Sequence, residues 1–169
     1  MDSIQLLTDA YGRIRQLVDR VASDLDHDAL VARPDDDANP IGWLIWHLTR
    51  VQDHHISEIA EREQEWTTGW SDRFDMPPDA NNTGFGHTSE EVGSFDPVSS
   101  ELLVIYQGAV SDHTLEYIAS LDPADLDRIV DRAWDPPVTA GVRLMSVIGD
   151  GYQHLGQAAY VRGLLERRG

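Results

Sequence analysis

The sequence NPIGWLIWHLTRVQDHH, residues 39–55, combines a helix start signal with a strongly apolar helical segment. Asn39 and Pro40 are typical of the N-cap and the first position of a helix. Large apolar residues then recur at spacings of three and four to about residue 64, which indicates a helix with one face in a protein core. His47 lies at the edge of this apolar face. The segment therefore predicts a core helix that could direct an imidazole into the interior.

Three further segments have the same helical periodicity. The first spans roughly residues 3–25, another begins at Ser99, and the last covers roughly residues 140–167. The connections between the four helices are rich in Pro, Gly or acidic residues, which interrupt helices. Four long helices joined by long connections predict a single all-α domain over residues 1–169, a four-helix bundle with long crossover connections.

The connection at residues 65–98 is long, and it is rich in aromatic residues as well as in Gly, Pro and Asn. We expect one short helix in it, because Thr88 and Glu91 form a capping-box pattern. Its aromatic residues are expected to cover the open end of the bundle. In the following connection, a short extended piece is expected near residues 128–133. Long connections of this kind often carry function.

Glycine recurs every seven residues in the last helix, at Gly149, Gly156 and Gly163. A glycine inside a helix costs roughly 1 kcal/mol relative to alanine. The recurrence therefore predicts a close contact between helices that needs the missing side chains. Such a contact could lie within the bundle or between two copies of the chain, so a homodimer is one expected form.

Composition excludes several classes of function. The net charge is −17, with 13 basic and 30 acidic residues and no Lys, so a nucleic-acid partner is not expected. The N-terminus does not have the pattern of a signal peptide, and no apolar run is long enough to span a membrane, so we expect a cytoplasmic protein. The chain contains no Cys. Any transition-metal site must therefore use His and carboxylates.

Asp150 and His154 are four residues apart in the last helix and so lie on one face of it. With His47 they would supply two imidazoles and one carboxylate from two helices. This is the ligand set of a catalytic zinc or related divalent ion with one position open. From spacing alone, Asp150 and His154 could equally be a simple ion pair. Spacing also does not show that His47 lies near them.

Two motifs together resemble the DinB-like superfamily of four-helix proteins: GWLIWHLTRVQDHH and, further along the chain, IGDGYQHLGQAAYVRGLL. This superfamily includes mycothiol- and bacillithiol-dependent S-transferases and mycothiol-dependent maleylpyruvate isomerases. The resemblance places His47, Asp150 and His154 at the positions of metal ligands, followed by the Gly156–Gln157 pair. It implies a divalent ion, with zinc first and nickel or another ion as alternatives. Many members have His where this chain has Asp150, whereas the isomerase branch has a carboxylate, and the short Asp side chain implies weaker or conditional metal binding.

The resemblance further implies an enzyme that uses a low-molecular-weight thiol of the mycothiol type on a small electrophilic substrate, as a transferase or an isomerase. The Lys-free composition fits an actinobacterial source, where mycothiol is the expected thiol. One alternative is a metal-dependent hydrolase, in which the ion activates water. Another is a non-catalytic DinB-like stress or binding protein.

Four other residues are candidates for roles around the ion or the substrate. Asp53 and His54 could support a ligand or contact the substrate, since ligating imidazoles usually hydrogen-bond to a second group. Gln157, three residues after His154, is expected to be such a hydrogen-bond partner. Arg73 could contact an anionic substrate.

Overall fold

The computed structural model describes residues 1–168 and is mostly helical. In chain order, the helices are α1 (Ser3–Ala22), α2 (His27–Val31), α3 (Ile41–Ala60), α4 (Trp70–Arg73), α5 (Ser89–Ser94), α6 (Ser100–Ala119) and α7 (Ala140–Arg168). Short 3-10 helices span Glu65–Thr68 and Pro123–Asp127. Strands β1 (Ile129–Asp131) and β2 (Val138–Thr139) form a small antiparallel pair directly before α7.

The four long helices form a bundle, which confirms the predicted all-α class. Helices α1 and α3 each pack against both α6 and α7, so they occupy opposite corners of the bundle. Helix α3 runs antiparallel to α7: His47 lies against His154, whereas His55, two turns later in α3, lies near Arg143, an earlier residue of α7. This arrangement brings the middle of α3 next to the middle of α7.

Helix α3 is buried on all sides in its first half, where every residue from 41 to 50 is buried. One side packs against α6 and α7. The other side is covered by the connection between α3 and α6, because Trp46 contacts Trp66 and Phe95. The all-round burial explains why this segment is apolar nearly throughout. Even so, none of the helices in residues 1–168 is long and apolar enough to cross a membrane.

The connection between α3 and α6 is held in place by the carboxylate of Asp53, which is 1% exposed. This carboxylate accepts hydrogen bonds from the backbone N–H groups of Glu65 (2.9 Å) and Trp66 (2.8 Å) and from the hydroxyl of Tyr106 (2.9 Å). It also pairs with the guanidinium of Arg50 at 3.2 Å. Burial of the Tyr106 hydroxyl, together with the charge of Asp53, raises the pKa of Tyr106, so the phenol remains a donor to Asp53.

Arg50, the partner of Asp53, is fully buried and binds a second part of the same connection. Its guanidinium donates to the backbone carbonyls of Ala80 and Asn82, both at 3.1 Å, and to the side chain of Gln64 at 3.0 Å. It also lies over the ring of Trp66, 4.8 Å from the ring centroid. One buried ion pair on α3 therefore fixes both the start and the middle of the connection.

Several local predictions agree with the structure, and others differ by small amounts. The capping box of Thr88 and Glu91 begins α5, and β1 lies within the extended piece expected near residues 128–133. The N-cap of α3 is Pro40 instead of Asn39, so the helix begins one residue later than predicted. Helices α2 and α4 and the 3-10 helices were not predicted, because segments of four or five residues carry too little periodicity to detect.

The prediction of a close helix contact at the three glycines of α7 is wrong for the bundle itself. A Cβ atom at Gly149 or Gly156 would meet no atom within 4 Å, and one at Gly163 would meet only Arg167 of the same helix. These glycines therefore face away from the other helices. The homodimer, the second alternative for this face, stays a prediction.

We expect loss of the Asp53 carboxylate to destabilise the fold strongly. In Asp53→Ala, Arg50 becomes a buried charge without its carboxylate partner, and such losses cost about 3–5 kcal/mol. The matched control is Asp9→Ala, which removes an exposed pair with Arg13 and should cost less than about 1 kcal/mol. Urea denaturation gives both free energies of unfolding. Similar small losses for the two variants would contradict the role given to Asp53.

Candidate metal centre

His47 of α3 and Asp150 and His154 of α7 come together between the two helices, and we call these three residues the ligand group. Each offers one ligand atom, and these atoms lie within 4.8 Å of one another. The rings of His47 and His154 meet edge to face, with 4.7 Å between their centroids. The structure thus brings together the three residues that the sequence could not place next to each other. Their role as metal ligands stays a prediction.

The orientation of His47 is set by the connection that covers α3. Its Nδ1 lies 2.5 Å from the backbone carbonyl of Thr83, which can only accept a hydrogen bond, so Nδ1 carries the proton. The ring of Trp43 stacks on the imidazole at 4.6 Å. Burial is the main cause that lowers the pKa of His47. The imidazole is therefore neutral at neutral pH, and its Nε2 lone pair is available to a metal.

The orientation of His154 is set by a hydrogen bond at its Nδ1 atom to a side chain of the same helix, α7. Its Nδ1 lies 2.8 Å from the Gln157 side-chain oxygen, and its Nε2 lies 3.4 Å from an oxygen of Asp150. Burial acts to lower the pKa of His154, but the interactions with Asp150 and Gln157 outweigh it, so the pKa is raised. Both imidazoles therefore use Nδ1 for a supporting hydrogen bond, the arrangement found around metal-bound histidines.

Asp150 provides an observation that is independent of the histidines. Its Oδ2 atom is buried and has no hydrogen-bond partner within residues 1–168. An unpartnered buried carboxylate oxygen is costly, because it has lost its hydration without replacement. A cation bound by the ligand group would offset this cost. The residues present therefore fit a divalent ion.

The dimensions of the ligand group are also close to those of a zinc site. Bonds of 2.0–2.2 Å in tetrahedral geometry put ligand atoms roughly 3.5 Å apart, so a side-chain movement of about 1 Å would complete the set. The side chains of Asp150 and His154 are 30% and 13% exposed, respectively. An ion held by three protein ligands here would keep a position that faces solvent, as catalytic sites do.

A glycine of the covering connection lies directly against the ligand group. Gly84 has a φ of +85°, and a Cβ atom there would lie 2.8 Å from the ring of Trp46 and 3.1 Å from Nδ1 of His47. Both the backbone conformation and the space therefore require glycine. Sequence analysis missed this residue, although the Asn- and Gly-rich stretch NNTGFGH signalled a tight turn.

His87 supports the aromatic side of the ligand group from behind. The indole N–H of Trp43 donates to Nδ1 of His87 at 3.3 Å, and Nε2 of His87 lies 3.1 Å from the side-chain oxygen of Asn82. Asn82 in turn accepts from Arg50 through its backbone carbonyl. His87, Trp43 and His47 therefore form a continuous layer that is attached to the buried Arg50–Asp53 pair.

The other predicted site residues lie at different distances from the ligand group. Gln157 contacts His154 directly, as described above. Asp53 contacts no member of the group and instead binds the connection. The Nδ1 atom of His54 lies 3.1 Å from the carbonyl of Ala80. Arg73 is exposed and stacks on Trp70 at 4.4 Å, which gives it a local partner away from the ligand group.

His54 also belongs to a second set of close ligand atoms, with His55 and Glu58. All three residues come from α3, and the Glu58 side chain is 60% exposed. Burial, and next the positive charge of Arg143, lower the pKa of His55. The same guanidinium charge opposes a metal cation at this position. The ligand group between α3 and α7 is therefore the better candidate.

Comparisons with known proteins agree with the fold. The family model of the DinB superfamily matches residues 10–158. The fold is similar to the crystal structure of a conserved protein from Enterococcus faecalis, with 28% sequence identity, a TM-score of 0.87 and coverage of 96% of each chain. No curated protein matches the chain significantly.

Substitution of Gly84 should weaken metal binding more than substitution of a comparable glycine. Gly86 also has a positive φ, +79°, but a Cβ atom there would meet nothing within 4 Å. We expect Gly84→Ala and Gly86→Ala each to lose about 1–2 kcal/mol of stability from the backbone conformation. Only Gly84→Ala should also displace His47 and reduce zinc affinity, by roughly tenfold or more.

The measurement is a zinc competition titration with a chromophoric chelator, after circular dichroism has shown that both variants are folded. Equal zinc affinities for the two variants would show that the connection does not orient His47.

Proposed function

The chain belongs to the DinB superfamily, and we propose that it is a metal-dependent enzyme that uses a low-molecular-weight thiol, of the mycothiol type, to transform a small electrophile. In this proposal, His47, Asp150 and His154 hold a divalent ion, with zinc first and nickel as an alternative. The reaction is a conjugation, or an isomerisation that passes through a thiol adduct.

One observation carries the metal part of the proposal. Both imidazoles of the ligand group use Nδ1 for a supporting hydrogen bond, while Oδ2 of Asp150 is buried without a partner. A simple His–Asp ion pair would need only His154 and Asp150. It would not explain why His47, on another helix, presents its neutral Nε2 edge to the same place. A shared cation accounts for all three orientations.

The thiol part of the proposal rests on the family and on composition. A divalent ion held by His47, Asp150 and His154 would lower the pKa of a thiol or a water molecule and so favour the anion at neutral pH. Because the chain contains no Cys, the thiol must come from a separate molecule. Hydrogen bonds to Thr83 and Gln157 orient the two proposed histidine ligands. The layer of Trp43 and His87 shields His47 from water.

The first test is the metal content of the tag-free protein. We expect near-stoichiometric zinc, nickel or another divalent ion in the wild type and loss of that ion in Asp150→Asn, because the amide has no negative charge to bind a cation. His27→Ala is the control. It removes an imidazole that is half-exposed, pairs with Asp96 and belongs to neither set of close ligand atoms, so it should leave the metal content unchanged.

The second test separates thiol transfer from the alternatives. Zinc-loaded wild type is incubated with monochlorobimane or 1-chloro-2,4-dinitrobenzene, with and without mycothiol, and Asp150→Asn serves as the metal-free comparison. Thiol-dependent conjugation that is lost in Asp150→Asn supports the proposal. Hydrolysis of an ester or amide without thiol would instead indicate a hydrolase. A wild type that stays empty when zinc is supplied would contradict the enzyme proposal and favour a non-catalytic protein.

A further inference from the structure

A solvent-open cavity of about 580 Å³ lies between α7 and the connection that precedes α3. Leu44 lines it from α3, three residues before His47. Gln157 lines it from α7, three residues after His154, with which it shares a hydrogen bond. Because α3 and α7 are antiparallel, both helices lead from the ligand group to the cavity in the same direction. The three ligand-group residues do not line the cavity themselves, but they lie about one helical turn, roughly 5.4 Å, from residues that do.

The lining of this cavity combines an apolar wall with an acidic rim. Leu44 and Val161 are buried, and Tyr160 and Leu164 extend the apolar surface toward solvent. The carboxylates at the rim, Asp35 and Asp37, are exposed. Among the described residues that line the cavity there is no Arg and no His. The volume is typical of sites for small organic ligands, which bind through apolar walls and a few polar groups.

We propose that this cavity is the substrate pocket and that it selects a molecule with an apolar body and a cationic amine head over one with a carboxylate. The pocket's part in catalysis rests on the proposed function. An amine would face Asp35 and Asp37, whereas a carboxylate would be repelled by them. The Arg33 guanidinium contacts the lining at Ala38, but it is occupied by the carbonyls of Ala38 and Ser89. The inference therefore predicts that dicarboxylates are poorer substrates of this chain than amines of similar size.

The test compares three probes of the same shape: benzylamine, benzyl alcohol and benzoate. Their affinities for the full chain are measured by ligand-observed NMR at fixed ionic strength and pH 7. We expect benzylamine to bind about threefold to tenfold more tightly than benzoate, with benzyl alcohol between them, since exposed charges contribute modestly. Equal binding, a preference for benzoate, or no detectable binding of any probe at millimolar concentration would overturn the proposal.

Variants of the rim show whether the preference comes from this cavity or from the acidic surface as a whole. In the double variant Asp35→Asn/Asp37→Asn, the preference for benzylamine should largely disappear. The matched control is Asp36→Asn, which removes an exposed carboxylate of the same loop that does not line the cavity, and it should keep the wild-type preference. A preference that survives in the double variant, or that falls equally in the control, would show binding elsewhere.

Metal content is measured on the same samples, so that the two proposals can fail separately. Selective amine binding in a protein that takes up no divalent ion would disprove the proposed enzyme and leave the cavity as an amine site. A protein that binds zinc but shows no dependence on Asp35 and Asp37 would leave the metal centre standing and disprove the pocket.

Discussion

The buried ion pair of Arg50 and Asp53 holds the long connection against α3. Both residues are on α3, yet their partners are mainly in the long connection that covers this helix. A connection of this length has few regular backbone hydrogen bonds of its own, so its position must be set from outside. The pair supplies acceptors for its N–H groups and donors for its carbonyls, and the connection can therefore pack tightly on Trp46.

The same constraint extends to the candidate metal centre. Arg50 donates to the carbonyl of Asn82, and the next carbonyl, of Thr83, accepts a hydrogen bond from Nδ1–H of His47. The tautomer of a proposed ligand is thus determined by a charge one turn further along α3. The connection and the candidate site therefore share one hydrogen-bond network. Substitutions in the two places are not expected to have additive effects on stability.

Much of the fold was predictable because the long helices have strong periodicity and clear start signals. The ligand group was predictable in part: Asp150 and His154 share a helix face, but only the resemblance suggested that His47 lies near them. The features that could not be predicted from the sequence are those that depend on tertiary contacts. No pattern shows that Asp53 accepts from Glu65 and Trp66, or that the glycines of α7 face outward, because spacing specifies a face of a helix and not what covers it.

The antiparallel packing of α3 and α7 has a consequence for folding. Asp150 and His154 are neighbours as soon as α7 forms, whereas His47 reaches them only when α3 docks, across a separation of about a hundred residues in sequence. An ion held by all three would therefore bind the docked state far better than an isolated α7. By mass action, such an ion would stabilise the contact between α3 and α7. The free energy of unfolding would then rise with the concentration of the metal.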